Sequence, residues 1–212
     1  LLLYADPQHN LTDWLGLDLE QNSPTLLECI KSGVELEDCI YPLTMNENLF
    51  LIPADDQLDN VQDYLANSGI GAMLLKRRLE PIAKTFEFCV IDAPPQRSQI
   101  CMTVIGAGDV VVVPAEASVK GYGSLIRTID LMSNLQGVGA TQAQTIGVIP
   151  FRDRWIGANQ SQESRLAIEG MKEEVGDVLV LPSIRESERY KQAINQQKTL
   201  SALGYPDLEY PL

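Results

Sequence analysis

Leu1-Leu2-Leu3-Tyr4-Ala5-Asp6-Pro7-Gln8-His9-Asn10 and Phe88-Cys89-Val90-Ile91-Asp92-Ala93-Pro94-Pro95 follow one plan: an apolar run, an acid at its end, and proline just beyond. An unbroken apolar run reads as a strand buried on both faces, as in a parallel sheet. Asp6 and Asp92 then stand at the C-terminal lips of two strands, where open α/β sheets bind their ligands. Carboxylates at two such ends suit a metal ion and a phosphate. For either strand alone, an Asp that caps the following turn explains the acid equally well. The repetition of acid and proline at both ends favours a site.

The same reading extends outward from these two segments. Strands are expected over 1–5, 49–53, 87–92, 109–114, 145–150 and 177–182, and four of the six end in proline, which cannot continue a central strand. Helical patterns fill the gaps at about 57–66, 70–84, 97–107, 119–135, 158–175 and 185–197. Residues 18–48 read as irregular, with one short helix around 24–31. Strand and helix alternate, so the expected class is α/β: a three-layer sandwich with a mostly parallel central sheet flanked by helices. At 212 residues, with no repeat, linker or low-complexity tract, a single domain is expected over 1–212.

Composition narrows the function. Hydrophobic content of 45% and charged content of 21% are ordinary for a globular chain. No apolar run approaches a membrane span, and no signal peptide is visible. The net charge of -13 argues against a surface coated in positive potential, and leaves room only for a local basic patch. Cys29, Cys39, Cys89 and Cys101 form no C-x-x-C pair and His9 is the sole histidine, so a zinc site is not expected. Cys89, in a buried strand, and Cys101, on a helix, read as small core residues in a reducing cytoplasm. His9 reads as a loop surface residue rather than an acid–base catalyst.

Five segments in order then resemble the ParA/MinD family of deviant Walker-type P-loop ATPases, and its ParA branch in particular. Asp6-Pro7-Gln8-His9-Asn10-Leu11-Thr12 is similar to the signature D-P-Q-x-N-x-T, and Leu15-Gly16 to its continuation. Asn48-Leu49-Phe50-Leu51-Ile52-Pro53-Ala54 resembles N-L-x-L-I-P-[SA], and Phe86–Pro95 resembles the Walker B and switch segment. Asp109–Pro114 resembles the strand that follows. Tyr4 and His9 depart from the Asp and Gly usual at those places. The glycine-rich phosphate loop is absent from the chain. The resemblance puts it upstream of Leu1, by on the order of thirty residues. The chain is therefore expected to lack the N-terminal strand, P-loop and first helix, and to bind ATP weakly or not at all.

The resemblance implies a P-loop NTPase-like sheet, ATP and Mg2+ as ligands, and ATP hydrolysis stimulated by a partner. It makes Asp92 the acid that holds Mg2+, directly or through water, and Asp6 the group that orients the attacking water. Pro94 and Pro95 would stiffen the segment that senses the γ-phosphate. Gln8 either polarises the γ-phosphate region or serves the turn. Lys120 starts a helix, where a cation is disfavoured unless an anion is near. It is a candidate for the signature lysine that reaches the nucleotide of the dimer partner, which a carboxysome-positioning branch carries in its C-terminal half. A solvated surface lysine is the alternative. Phe151, Arg152, Pro182 and Ile184, with Pro150, match the adenine-side loops, unless Arg152, Asp153 and Arg154 are merely a surface network.

By the same resemblance the protein forms a homodimer with ATP and binds nonspecific DNA through Arg185, Arg189, Lys191 and Lys198, with Lys76, Arg77 and Arg78 as a second patch. Glu186 and Glu188 dilute the first patch, so a plain solvated helix face explains it equally well. An activating adaptor on the cargo completes the expectation. The cargo would be a carboxysome, plasmid or chromosome origin. The location would be cytoplasmic and nucleoid-associated, with no membrane. Two other classes use this scaffold. An ATP-coupled metabolic enzyme could be a ligase or a nitrogenase-iron-protein-like reductase, which needs a cluster-binding thiolate with Cys101 the nearest candidate. A MinD-like membrane switch needs a C-terminal amphipathic helix, and none is legible in Leu208-Glu209-Tyr210-Pro211-Leu212.

Overall fold

The computed structural model describes residues 1–7, 10–94 and 97–209. Gln8, His9 and Pro95 fall outside them. The chain divides into two compact units, one of Leu1–Gly108 with Val138–Gln142, the other of Asp109–Gly137 with Ala143–Leu212.

The first unit is a four-stranded sheet with helices. β1 (Leu2–Tyr4) pairs in parallel with both β3 (Phe50–Ile52) and β4 (Val90–Asp92), and β2 (Tyr41–Pro42) adds antiparallel to β3. The order is β2-β3-β1-β4, with Leu3 opposite Ile52 and Ile91, and Tyr4 opposite Asp92. Leu3, Leu51 and Ile52 are fully buried in a core that also takes Leu26, Ile30, Leu58, Leu65, Leu75 and Ile100. These last come from the segments that cover the sheet, among them α2 (Leu26–Lys31), α3 (Val61–Asn67), α4 (Gly71–Leu79) and α5 (Gln99–Ala107). α1 (Asn10–Trp14) is an extra short helix that the apolar pattern does not announce.

Local chemistry sets the ends of these helices. Thr25 and Glu28 form a capping box: Leu27 N–H donates to the Thr25 hydroxyl, and Thr25 N–H to the Glu28 carboxylate at 2.9 Å. The Ser98 hydroxyl accepts Cys101 N–H at the start of α5. α4 stops at Leu79 because Pro81 allows only a 3-10 turn over Glu80–Ile82. α4 and α5 cross closely. A Cβ on Gly106 would lie 1.7 Å from the Ala72 carbonyl oxygen, and the buried Thr103 hydroxyl accepts Leu75 N–H at 3.2 Å.

The second unit pairs β5 (Val110–Glu116) with β6 (Gln144–Phe151) in parallel, ending with Glu116 opposite Phe151. β7 (Trp155–Ile156) and β8 (Asn159–Gln160) make a small hairpin. α6 (Val119–Gly137) and α7 (Gln162–Val175) are its long helices, and Val113, Ala115, Leu125, Val148 and Met171 form its core. α8 (Arg189–Asn195) and α9 (Pro206–Glu209) follow.

Parallel pairing with helical crossovers gives the α/β class that the sequence predicts, a mostly parallel sheet flanked by helices. Several expectations need correction. The run 177–182 is no full strand. Val148 bonds Leu179 and Leu181 at 2.8 Å, yet only a single bridge to Val180 results. The helix expected from 158 begins at Gln162, because the β7–β8 hairpin takes the preceding residues. The helix expected over 185–197 shrinks to 189–195. Cys89, expected in the core, is exposed, as are Phe88 at 72% and Val90 at 60%. β4 ends its sheet among the described residues, so its apolar run lacks a neighbour on one side. Cys101 does lie on α5, half-buried.

Candidate functional site

The first unit brings the two acids together. β1 and β4 are adjacent and in register, and Ala5 N–H donates to the Asp92 carbonyl at 3.0 Å. Asp6 therefore leaves the sheet beside the end of β4. Burial first, and then the negative charge of Asp6, push the Asp92 carboxyl above its ordinary value. Carboxylates that repel each other across two strand ends form a place where a cation is favoured. No set of three or more His, Cys, Asp or Glu suited to a metal occurs among the described residues. The Asp6–Asp92 pair alone fits Mg2+, which keeps several waters and takes one or two carboxylates with phosphate oxygens. Pro94 is buried just past Asp92. Thr12, within the signature, is buried and donates to the Ala54 carbonyl at 3.4 Å, which ties α1 to the segment after β3.

Cys101 lies half-buried on α5, and burial pushes its thiol up.

The second unit gathers its candidate residues at the C-terminal ends of β5 and β6. Ala117 N–H donates to the Phe151 carbonyl at 2.8 Å, and the chain turns at once into α6. Gly121 is required there, since a Cβ would stand 2.0 Å from the Glu116 carbonyl oxygen. Lys120 is exposed in the first turn of α6. Arg152 has a left-handed backbone (φ 52°), which is uncommon outside glycine and costs energy. Its guanidinium lies 3.9 Å from the Glu116 carboxylate and 5.9 Å from the Phe151 ring centroid. The pair is solvent-exposed and contributes little stability.

Pro182 and Ile184 meet the same strand end. Ile184 N–H donates to the Pro150 carbonyl at 2.8 Å, Asp153 N–H to the Ile184 carbonyl at 3.0 Å, and Glu186 N–H to the Asp153 carbonyl at 3.0 Å. Phe151, the last residue of β6, and Arg152 just after it are thus backbone-linked to the segment that carries Pro182 and Ile184. Asp153 is not part of a surface Arg–Asp network; it is 1% exposed and bonds Trp155, Gln160 and Ser183. Its importance is absent from the sequence reading. The available signal was an acid set two residues before a tryptophan, just past an apolar strand.

The four candidate DNA-contacting cations are exposed but not pooled. The Arg185 guanidinium stacks 4.2 Å from the Trp155 ring centroid, and that of Arg189 4.6 Å from Tyr205. Arg189 also donates to Gln192, and Lys191 pairs with Glu188 at 3.0 Å. Arg189 and Lys191 are two apart on α8, so they point to different sides of the helix. Lys198 lies beyond its end. In the second patch Arg78 donates to the Ile30 carbonyl at 3.2 Å, a structural role at the end of α2. No described helix is long and apolar enough to cross a membrane.

The family model of the AAA domain (AAA_31) matches residues 1–137. Maintenance of carboxysome distribution protein A of Gloeothece citriformis is 54% identical over 211 residues, covering 100% of this chain and 81% of that protein. Its counterpart from Synechococcus elongatus is 52% identical, over 100% of this chain and 83% of that protein. The solved ATP complex of Cyanothece McdA carrying the substitution D38A superposes with a TM-score of 0.96 at 53% identity, covering 99% of this chain and 80% of that one.

Proposed function

The chain belongs to the ParA-like P-loop ATPases, in the family of maintenance of carboxysome distribution protein A, and on that premise we propose how it works as an ATP-driven switch that positions carboxysomes. The family supplies ATP hydrolysis. The finer reading is a dimer that forms with ATP, holds nonspecific DNA over the nucleoid, and lets go when an adaptor on the cargo stimulates hydrolysis. Residues 1–212 are taken as one such ATPase domain.

The observation that carries the reading is the coupling of Asp6 and Asp92 at the ends of adjacent parallel strands. Mg2+, when bound with ATP, supplies positive charge against the phosphates. Asp92 would hold that ion directly or through a water. Asp6 accepts a hydrogen bond from the attacking water and aims it, since phosphoryl transfer depends mainly on position and electrostatics. Gln8 lies close in sequence to Asp6 and serves the γ-phosphate side. Pro94 limits the backbone after Asp92, so that a change at the phosphate is passed to the following segment as a displacement.

Lys120 supplies a cation to the nucleotide of the dimer partner, which accounts for a lysine in the first turn of a helix. Phe151, Pro182 and Ile184 offer apolar contact to adenine, with Arg152 as the adjacent cation. Arg185, Arg189, Lys191 and Lys198 contact DNA phosphates. A net charge of -13 makes nonspecific capture by the surface at large weak, so the local cations must carry it.

The test is DNA binding by the full-length protein, phosphate loop included, with ATP, with ADP and without nucleotide, at two salt concentrations. The expected result is binding to unrelated sequences with ATP only, weakened by salt. Absence of binding in every nucleotide state would remove tethering to the nucleoid.

A further inference from the structure

Asp153 is a buried carboxylate, and burial of a charge is costly unless hydrogen bonds satisfy it. It receives them from side chains of separate segments. Trp155 Nε1 donates at 2.9 Å, Gln160 Nε2 at 2.9 and 3.0 Å to the two oxygens, and the Ser183 hydroxyl at 2.6 Å. Trp155 and Gln160 face each other across the β7–β8 hairpin, and Ser183 lies in the loop that carries Pro182 and Ile184. The backbone of Asp153 is bonded to that loop in both directions, through the Ile184 carbonyl and Glu186 N–H. Immediately before it stands Arg152, in its left-handed conformation.

We propose that Asp153 is the positioning residue of the base-binding loops. Its charge draws the hairpin and the 182–186 loop onto the end of β6. It thereby fixes the spacing between Phe151 and Ile184 and holds the turn at Arg152. Hydrogen bonds to an ionised acceptor are about twice as strong as neutral ones, and a carboxylate can accept all of these donors at once. An asparagine of the same shape cannot, because its amide N–H2 would face donors. Selectivity for the base is then set by a residue that does not touch it. This inference rests on the assignment of these loops to adenine.

The experiment titrates the full-length protein, phosphate loop included, with Mg-ATP and, separately, with Mg-tripolyphosphate, which has no base to recognise. Asp153→Asn is expected to weaken ATP at least tenfold and to leave tripolyphosphate unchanged. Ser183→Ala is expected to give a smaller loss of the same pattern, and it decides the matter if Asp153→Asn does not fold. Equal loss of both ligands would mark a purely structural role and overturn the proposal. Unchanged ATP affinity in both variants would overturn it too. Failure of the underlying assignment looks different. The unsubstituted protein would then bind ATP no more tightly than tripolyphosphate, and Ile184→Ala would change neither. A direct probe is available in a Trp14→Phe background, where Trp155 is the one tryptophan left in residues 1–212. Its emission should shift to the red in Asp153→Asn, and an unshifted spectrum counts against the clamp.

Discussion

Replacing Gly121 by alanine puts a methyl group where α6 meets the end of β5. The added Cβ would lie 2.0 Å from the Glu116 carbonyl oxygen and 2.7 Å from both the carbon and the nitrogen of Glu116. Those are backbone atoms of a paired strand, and they cannot turn aside as a side chain can. Ordinary contact begins near 3.4 Å, so the helix must retreat by more than an ångström. Overpacking of this kind costs about 1–3 kcal/mol. The bond from Gly121 N–H to the Ser118 hydroxyl, 3.2 Å long, is stretched or lost, at about 1 kcal/mol. Alanine returns up to about 1 kcal/mol of helix propensity. The net loss is about 1–3 kcal/mol, a fall in Tm of about 2–12 °C for a chain of this size.

Gly123 is the control within the same helix. Its Cβ would meet only the Arg127 guanidinium at 3.6 Å. Gly123→Ala should therefore stabilise by about 0.5–1 kcal/mol. Thermal melts of the two variants should move in opposite directions. Equal shifts, or a Gly121→Ala variant as stable as the parent, would refute the close approach of α6 to β5. Lys120 sits on the displaced turn, so Gly121→Ala should also weaken whatever Lys120 binds.

The raised pKa of Asp92 gives a signed dependence on pH. The folded state favours the protonated acid, so the stability present below the ordinary value of 3.8 is lost as pH rises through the raised folded pKa. Asp92→Asn should raise Tm at neutral pH, lose that advantage in acid below the ordinary value, and abolish stabilisation by Mg2+ in scanning calorimetry; a variant less stable at neutral pH would contradict the repulsion. Lys120→Ala in the full-length protein, phosphate loop included, should impair ATP-dependent dimerisation in analytical ultracentrifugation while leaving the melt unchanged, and intact dimerisation would return Lys120 to an ordinary surface lysine.

The carboxylate pair was legible because its signal is local: an apolar run, an acid and a proline repeat at both strand ends, and the register of β1 with β4 then places the acids side by side. The adenine-side loops were legible as residues but not as a structure. What joins them is Asp153, and nothing in Phe151-Arg152-Asp153-Arg154 says that the acid turns inward while its neighbours stay exposed. That outcome depends on Gln160 and Ser183, whose distance along the chain hides the contact. Apolar runs were misleading where burial depends on a neighbouring strand, as at Phe88 and Val90. The short β7–β8 hairpin has too few residues to show alternation, so the helix after it was drawn too long.

The left-handed backbone of Arg152 sets stability and function against each other. An L-residue other than glycine in that region costs about 1–2 kcal/mol, which glycine would not incur. Arg152→Gly would relax the turn and delete the cation assigned to the nucleotide in a single step. Selection of variants for heat resistance alone would thus favour the substitution that disarms the loop, whereas selection for carboxysome spacing in cells would reject it.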